Sequence, residues 1–335
     1  MSTGLHLAIV GATGAVGAEL LQLLDQREFP LRGLKLLASP KSAGKVLKFK
    51  GEEIPVEALS RNSFKSVDIA LFSAGAGISR EYGALAVDAG AVVIDNSSAF
   101  RMENDVPLVV PEINPDDIHQ HKGIIANPNC TTIIALMAIY PLHKVFGLKR
   151  VIASSYQAVS GAGAKAIQEL ELQSKSYFSG ETVNPKVFPH PIAFNVLPQV
   201  DIFLDNGYTK EEVKFVNESR KIMHHPTLRA SITCVRVPVF RAHSVAVHAE
   251  FEQPVSIERA RDVLAKFRGL ELVDDPSLRR YPMPLLVAGK NNCQVGRIRV
   301  DTALDNGLAF WVCGDQLLKG AALNALQIAE MLGSK

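Results

Sequence analysis

The chain has 335 residues, enough for two domains, and its 47% hydrophobic and 21% charged residues are the balance of a globular protein. Its 36 basic and 34 acidic residues leave a net charge of +2 with no dense Lys/Arg run, which argues against a nucleic-acid partner or a membrane surface. No apolar stretch is long enough to span a bilayer and no charged-then-apolar leader opens the sequence; the cysteines at 130, 234, 293 and 313 form neither a CxxC pair nor a disulfide framework, so a reducing, cytoplasmic setting is expected.

Residues 5–10, LHLAIV, read as a short buried strand. GATGAVG follows, and then AELLQLLDQREF, with leucines at helical spacing. The runs 34–39, 67–74 and 91–97 are compact and β-rich, and a helical or loop stretch separates each from the next. Strands alternating with helices predict a parallel, doubly wound sheet of Rossmann type, an α/β domain.

Past residue 150 the texture changes. The runs 150–160, 231–240, 243–251 and 296–301 read as strands, and the second half of HSVAVHAEF alternates apolar with polar, as in a sheet with one wet face. This predicts a second, α+β domain built on a mixed or mostly antiparallel sheet. Segment 176–200 carries four prolines and several aromatics and reads as an extended connection or a docking surface. The stretch from 308 onward reads as a strand, a turn and a long helix. There is no internal repeat.

Gly11, Gly14 and Gly17 lie between a predicted strand and a predicted helix. Glycines there make the turn tight and let backbone approach a pyrophosphate, which the helix N-terminus binds through free N–H groups. The spacing is GxxGxxG, not the commoner GxGxxG, so the strand–helix context carries the argument against a purely structural turn. Thr13, Ala15 and Val16 complete the phosphate loop. After the second strand an NAD site usually offers a carboxylate to the ribose 2′-hydroxyl. Here Ser39, Pro40, Lys41 and Ser42 stand there, without a carboxylate, and Ser39, Lys41 and Ser42 suit a 2′-phosphate, hence NADP(H).

Cys130 follows Asn127-Pro128-Asn129, turn chemistry, and heads a run with helical pattern. A thiol at a helix N-terminus has its thiolate form favoured by the dipole and by free N–H groups, so a nucleophile is favoured over a buried structural cysteine. A nucleophilic thiol in a nicotinamide-binding chain suggests a dehydrogenase working through a thioester, which needs an acid/base and an oxyanion donor. His243, at the start of a strand beside arginines, is the acid/base candidate; His248, in the same strand, reads as a surface histidine. His224 and His225 have no ligand spacing, and no metal site is expected. Gln157 at a strand end suits the orientation of an acyl oxygen, or simply bonds to backbone there. Arg101 and Arg236 are anion-binding candidates, and on pattern alone a solvated role is as reasonable.

The motifs VGATGAVG, LLASPKSAGK, IDNSSAFRM, NPNCTT, SYQAVSGAG, RVPVFRAHS and GDQLLKGAALNA, in this order and over the whole chain, resemble the bacterial aspartate-semialdehyde dehydrogenases. The resemblance implies NADPH-dependent reduction of L-aspartyl 4-phosphate to aspartate 4-semialdehyde with release of phosphate, in lysine, threonine, methionine and diaminopimelate biosynthesis. It makes Cys130 the nucleophile, His243 the acid/base and Gln157 a residue of the acyl site, with Asn129 beside it. It gives the phosphate to Arg101 and Lys214, the substrate carboxylate to Arg236 and the substrate ammonium to Glu211. Ser160, Gly161 and Gln316 fall on the nicotinamide side, and Gln316 stands where many members have Asn. It implies an NADP-binding domain of 1–130 with 316–335, a catalytic and dimerisation domain of 131–315, and a homodimer or homotetramer. N-acetyl-γ-glutamyl-phosphate reductase is the nearest rival, but would need no acidic partner for a free amine. A catalytically silent nucleotide-binding paralogue should have lost Cys130 or His243, and a sugar-phosphate dehydrogenase predicts hexose- or triose-phosphate activity.

Overall fold

The structure, a computed structural model, describes residues 4–333. Its contacts divide the chain into two units, Met1–Asn129 with Ala321–Lys335, and Cys130–Gly320.

In the first unit β1 (Leu5–Val10), α1 (Ala15–Gln26), β2 (Leu31–Ala38), β3 (Val46–Phe49), β4 (Glu52–Ala58), β5 (Ile69–Phe72), α2 (Ala76–Asp88), β6 (Val92–Asp95) and β7 (Ile124–Ala126) follow in turn. The strands form one sheet in the order β3-β4-β2-β1-β5-β6-β7, parallel except for β3, which pairs antiparallel with β4 at the edge. This is the expected doubly wound sheet, with Ile9, Val10, Leu36, Leu37, Leu71, Phe72 and Val93 all fully buried. The β3/β4 hairpin lies outside the sequence expectation. Lys50 and Gly51 both take positive φ, 49° and 82°, and form a two-residue turn whose twist matches the strands. The hairpin escapes a hydrophobic pattern because it is an edge, with Lys48, Glu52, Glu53 and Glu57 facing water.

The second unit opens with α3 (Cys130–Phe146), apolar on every side and buried from Thr131 to Ile139. Then come β8 (Leu148–Gln157), α4 (Ala164–Phe178), α5 (Lys210–Ile222), β9 (Arg229–Arg236), β10 (His243–Phe251), α6 (Ile257–Ala265), β11 (Leu270–Leu272), α7 (Pro284–Val287), β12 (Cys293–Val300) and β13 (Gly307–Gly314). Their sheet runs β11-β12-β13-β10-β8-β9, with parallel pairs at both margins and antiparallel pairs between. The strand β10 is wet on its outward face at His248, as expected, but not at every outward position. It is central, and its apparent polar alternation includes Glu250, which is buried and paired with Lys149 and Arg150. Residues 181–200 form neither helix nor strand, in keeping with the proline pattern.

The chain returns to the first unit as α8 (Leu323–Gly333). The expected long helix begins as a wide π-turn over Leu318–Ala322 and continues without a break as α8. Asn324 Nδ2 donates to the Val109 carbonyl at 2.9 Å and to Asn127 Oδ1 at 2.7 Å, and Glu330 pairs with Arg27 at 2.6 Å.

Candidate active site

In the first unit β1 runs into Gly11 and then α1, whose N-cap Gly14 offers no side-chain cap and whose first turn has no acidic residue. The first-turn N–H groups are therefore open to an anion. Gly11 has φ +90°, and a Cβ there would stand 2.3 Å from the Ser73 carbonyl oxygen; a Cβ on Gly17 would stand 2.3 Å from that of Gly11. Only glycine closes this loop. Thr13 and Gly14 are exposed at its rim, Ala15 and Val16 half-buried behind it. At the carboxyl end of the neighbouring β2, Ser39 and the short turn Pro40–Ser42 carry the exposed Lys41, again with no carboxylate. These residues fit a dinucleotide with a 2′-phosphate: glycine backbone and helix N-terminus for the pyrophosphate, and Ser39, Lys41 and Ser42 for the extra phosphate. Among the described residues there is no cluster of metal-ligating groups.

Also in the first unit, Arg101 is buried. Its Nε donates to the Asn127 carbonyl and its Nη2 to that of Asn96, 2.9 Å each, which fixes the guanidinium. Asn129 is buried at the end of the same unit.

The second unit gathers its polar groups at one end of its sheet. The parallel strands β8 and β9 end with Gln157 opposite Arg236, and Ser155 sits opposite Cys234 two residues earlier. His243 begins β10. A strand alternates its side chains, so Ser155 and Gln157 share a face, as do Cys234 and Arg236. Helix α5 lies against β9 and brings Glu211 to this layer: Gln157 Nε2 donates to Ser155 Oγ at 3.2 Å and to Glu211 Oε1 at 3.4 Å. A capping box at Thr209 and Glu212 sets where α5 begins, and Glu212 Oε1 also accepts from the Cys234 backbone N–H at 2.9 Å. Lys214, one turn on from Glu211, pairs with it at 3.2 Å and with Asp201 at 2.8 Å.

Cys130 is the first residue of α3, as expected, and is half-buried, while the other three thiols are buried. Gly320 makes this seat possible, because a Cβ there would stand 2.8 Å from that of Cys130. Burial pushes the Cys313 thiol up to about 12 and raises Cys234 as well, so neither is a nucleophile near neutral pH.

Arg236 is buried, donates from Nη1 to the Ala158 carbonyl at 2.7 Å, and lies over the Phe188 ring. His243 is fully buried, and burial, then the charge of Arg236, hold its proton affinity well below the ordinary histidine value, against the opposing Ala242 backbone. The Ala158 N–H donates to its Nδ1 at 3.0 Å. That donor assigns the neutral ring its proton on Nε2, the atom left without a hydrogen-bond partner. His243 is thus poised to give a proton from Nε2.

Ser160 and Gly161 form the short turn after β8. Gln316 Nε2 donates to Ser160 Oγ, and Gln316 Oε1 accepts from the Ala242 N–H at 2.8 Å. His248 faces outward on β10 with Nδ1 2.5 Å from Asp301, a surface position as expected. Sequence reasoning missed Ser155, Ala158, Asp201 and Asp315. Asp315 is fully buried, takes the Leu317 and Leu318 N–H groups at Oδ1, and pairs with Arg241 at Oδ2. The motifs SYQAVSGAG and GDQLLKGAALNA contain Ser155, Ala158 and Asp315, and T-x-x-E at 209–212 is the capping box that begins α5.

Residues 6–121 match the family described as semialdehyde dehydrogenase, NAD binding domain, and residues 139–319 its dimerisation domain. The chain is 51% identical over 332 residues to an aspartate-semialdehyde dehydrogenase of Synechocystis sp., covering 99% of this chain and 98% of that one. It is 52% identical over 334 residues to that of Aquifex aeolicus, covering 98% of each. Among solved structures, the crystal structure of aspartate semialdehyde dehydrogenase II from Vibrio cholerae superposes with a TM-score of 0.96 at 44% identity, covering 98% of both chains. A second structure of the Vibrio enzyme, complexed with ASA, gives the same TM-score and covers 99% of this chain and 98% of that one.

Proposed function

Because the chain belongs to the aspartate-semialdehyde dehydrogenase family, we propose that Cys130 is its nucleophile and His243 its proton donor and acceptor. The reaction is the NADPH-dependent reductive dephosphorylation of L-aspartyl 4-phosphate to L-aspartate 4-semialdehyde and phosphate. It serves lysine, threonine, methionine and diaminopimelate biosynthesis. The observation that carries the site reading is the meeting of Arg236 and His243 at Gly161, at the sheet end where Gln157 and Glu211 also lie.

The substrate brings a carboxylate, an ammonium and an acyl phosphate. Arg236 takes the carboxylate through a planar fork of donors, worth roughly 1.5–3 kcal/mol when charge-assisted. Glu211 takes the ammonium, and Arg101 with Lys214 the phosphate. Lys214 already pairs with Asp201, so phosphate shares or displaces that carboxylate. The Cys130 thiolate, favoured at the N-terminus of α3, attacks the acyl carbon, the bond from that carbon to the phosphate oxygen breaks, phosphate leaves with the bonding pair, and a thioester forms on Cys130. The N–H groups at the start of α3 and the Gln157 amide face the oxygen that gains charge. Bound NADPH supplies the hydride that reduces the acyl carbon. The carbon–sulfur bond then breaks, returning thiolate and aldehyde, while His243 Nε2–H donates to the oxygen during its charged phase. Gly11, Thr13, Gly14, Ala15, Val16 and Gly17, together with Ser39, Lys41 and Ser42, hold the dinucleotide within residues 1–130 and 316–335. Ser160, Gly161 and Gln316 belong on its nicotinamide side, and residues 131–315 form the catalytic and dimerisation domain.

A buried carboxylate at Glu211 favours a free amine, and so disfavours the N-acetyl-γ-glutamyl phosphate reading. The chain is an oligomer, as its dimerisation domain indicates, and a homodimer or homotetramer is the finer reading. The outer face of the second sheet, with Ile152, Tyr156 and Val300 exposed, supports a protein-facing surface there. No helix among the described residues is long and apolar enough to cross a membrane, and we place the enzyme in the cytoplasm. An NADP-linked assay run with phosphate and aspartate semialdehyde, beside the N-acetylglutamyl analogue, tests the whole. Turnover of the analogue alone would overturn it.

A further inference from the structure

Ala242, immediately before His243, is fully buried and has φ +71°, a left-handed conformation that is strained for a residue with a side chain. Such a residue persists only when its surroundings hold it. The Gln316 amide is the holder: the Ala242 N–H donates to Gln316 Oε1 at 2.8 Å. One residue earlier, Arg241 Nε is bound by Asp315 Oδ2 at 2.5 Å. Two consecutive residues entering β10 are thus gripped by two consecutive residues leaving β13.

The other end of the same Gln316 amide donates to Ser160 Oγ. Ser160 precedes Gly161, and a Cβ on Gly161 would stand 3.1 Å from His243 Nε2 and Cε1. Gln316 is buried, and its oxygen and one of its N–H groups are spent inside the protein. One amide hydrogen remains for a nicotinamide. We propose that Gln316 is a positioning residue for His243, tying the backbone that leads into the imidazole to the turn against which the ring's reactive edge packs. Its contribution to turnover runs through the histidine, beyond any contact with the cofactor. The inference rests on His243 being the proton donor, and His243→Gln tested alongside separates the two.

The experiment compares Gln316→Leu, Gln316→Leu with Ala242→Gly, Ser160→Ala and His243→Gln in the full-length enzyme. It reads kcat, KM for NADP and the pH profile of kcat/KM. His243→Gln identifies the inflection that belongs to the histidine; if that variant keeps full activity with an unchanged profile, the acid/base reading itself fails. Gln316→Leu should lower kcat by about 10- to 100-fold, the loss typical of a misplaced catalytic group. KM for NADP should change by less than about threefold, and the histidine inflection should move to higher pH as the ring gains water. Glycine adopts the left-handed conformation without strain, so Ala242→Gly should restore part of the lost kcat. Ser160→Ala should move the inflection the same way by a smaller amount, and it carries the test if Gln316→Leu does not fold. A raised KM for NADP with kcat and the inflection unchanged would overturn the proposal and leave Gln316 as a cofactor contact alone.

Discussion

Arg236 Nη1 and His243 Nε2 converge on a single glycine: a Cβ at Gly161 would stand 2.9 Å from the first and 3.1 Å from the second. Arg236 and the proton donor thus both pack against a residue that has no side chain. Gly161 has no special φ, so Gly161→Ala should fold normally and push both side chains. Steady-state kinetics should show kcat falling and KM for the semialdehyde rising together, each by about 10-fold or more. A variant with wild-type kinetics would mean that this spacing does not matter.

Cys130→Ala should abolish turnover and leave NADPH binding intact, measured by fluorescence titration. The Cys234, Cys293 and Cys313 thiols are buried and offer no replacement. Residual activity above about a thousandth of wild type would move the nucleophile elsewhere.

Arg236→Leu should raise KM for the semialdehyde by about 10- to 100-fold, the equivalent of one charge-assisted pair, with KM for NADP nearly constant. Equal effects on both would remove the carboxylate from Arg236.

His243 is neutral when folded, because burial and then Arg236 depress its proton affinity below the ordinary value. The unfolded chain binds that proton at higher pH. Stability therefore falls as pH drops below the unfolded value of about 6.5, by at most about 1.4 kcal/mol per pH unit until the depressed folded value is reached, and is flat above it. Urea midpoints of wild type and His243→Gln at pH 7.5 and 5.5 should show the smaller acid loss in the variant. Identical losses would contradict the buried neutral ring.

Lys41→Ala should lower the preference for NADP over NAD by about 10-fold, about 1.4 kcal/mol for one phosphate contact, when kcat/KM is compared for the two coenzymes. A wild-type enzyme that favours NAD would contradict the reading of Ser39, Lys41 and Ser42.

The parallel sheet was legible because its strands are buried on both faces and read as unbroken apolar runs, and Cys130 because turn chemistry on one side and helical periodicity on the other locate a helix start. The β3/β4 hairpin was not, since an exposed edge carries no hydrophobic signal and its turn is Lys50-Gly51 in place of Asn-Gly. The residue type of His243 marked it as a proton carrier, but which nitrogen carries the proton depends on the backbone of Ala158, 85 positions away. Gln316 is the clearest limit. Its place in a motif suggested a cofactor contact, while its bonds to Ala242 and Ser160 depend on three segments far apart in sequence.

Helix α8 belongs to the unit begun by β1, yet the whole of Cys130–Gly320 is translated before it. Leu326, Ile328 and Ala329 are fully buried there, so a nascent chain emerging from the ribosome carries a nucleotide fold with its closing piece still unmade. Maturation of that fold must wait for the rest of the polypeptide, and a premature stop after residue 320 would harm the half that had been synthesised first.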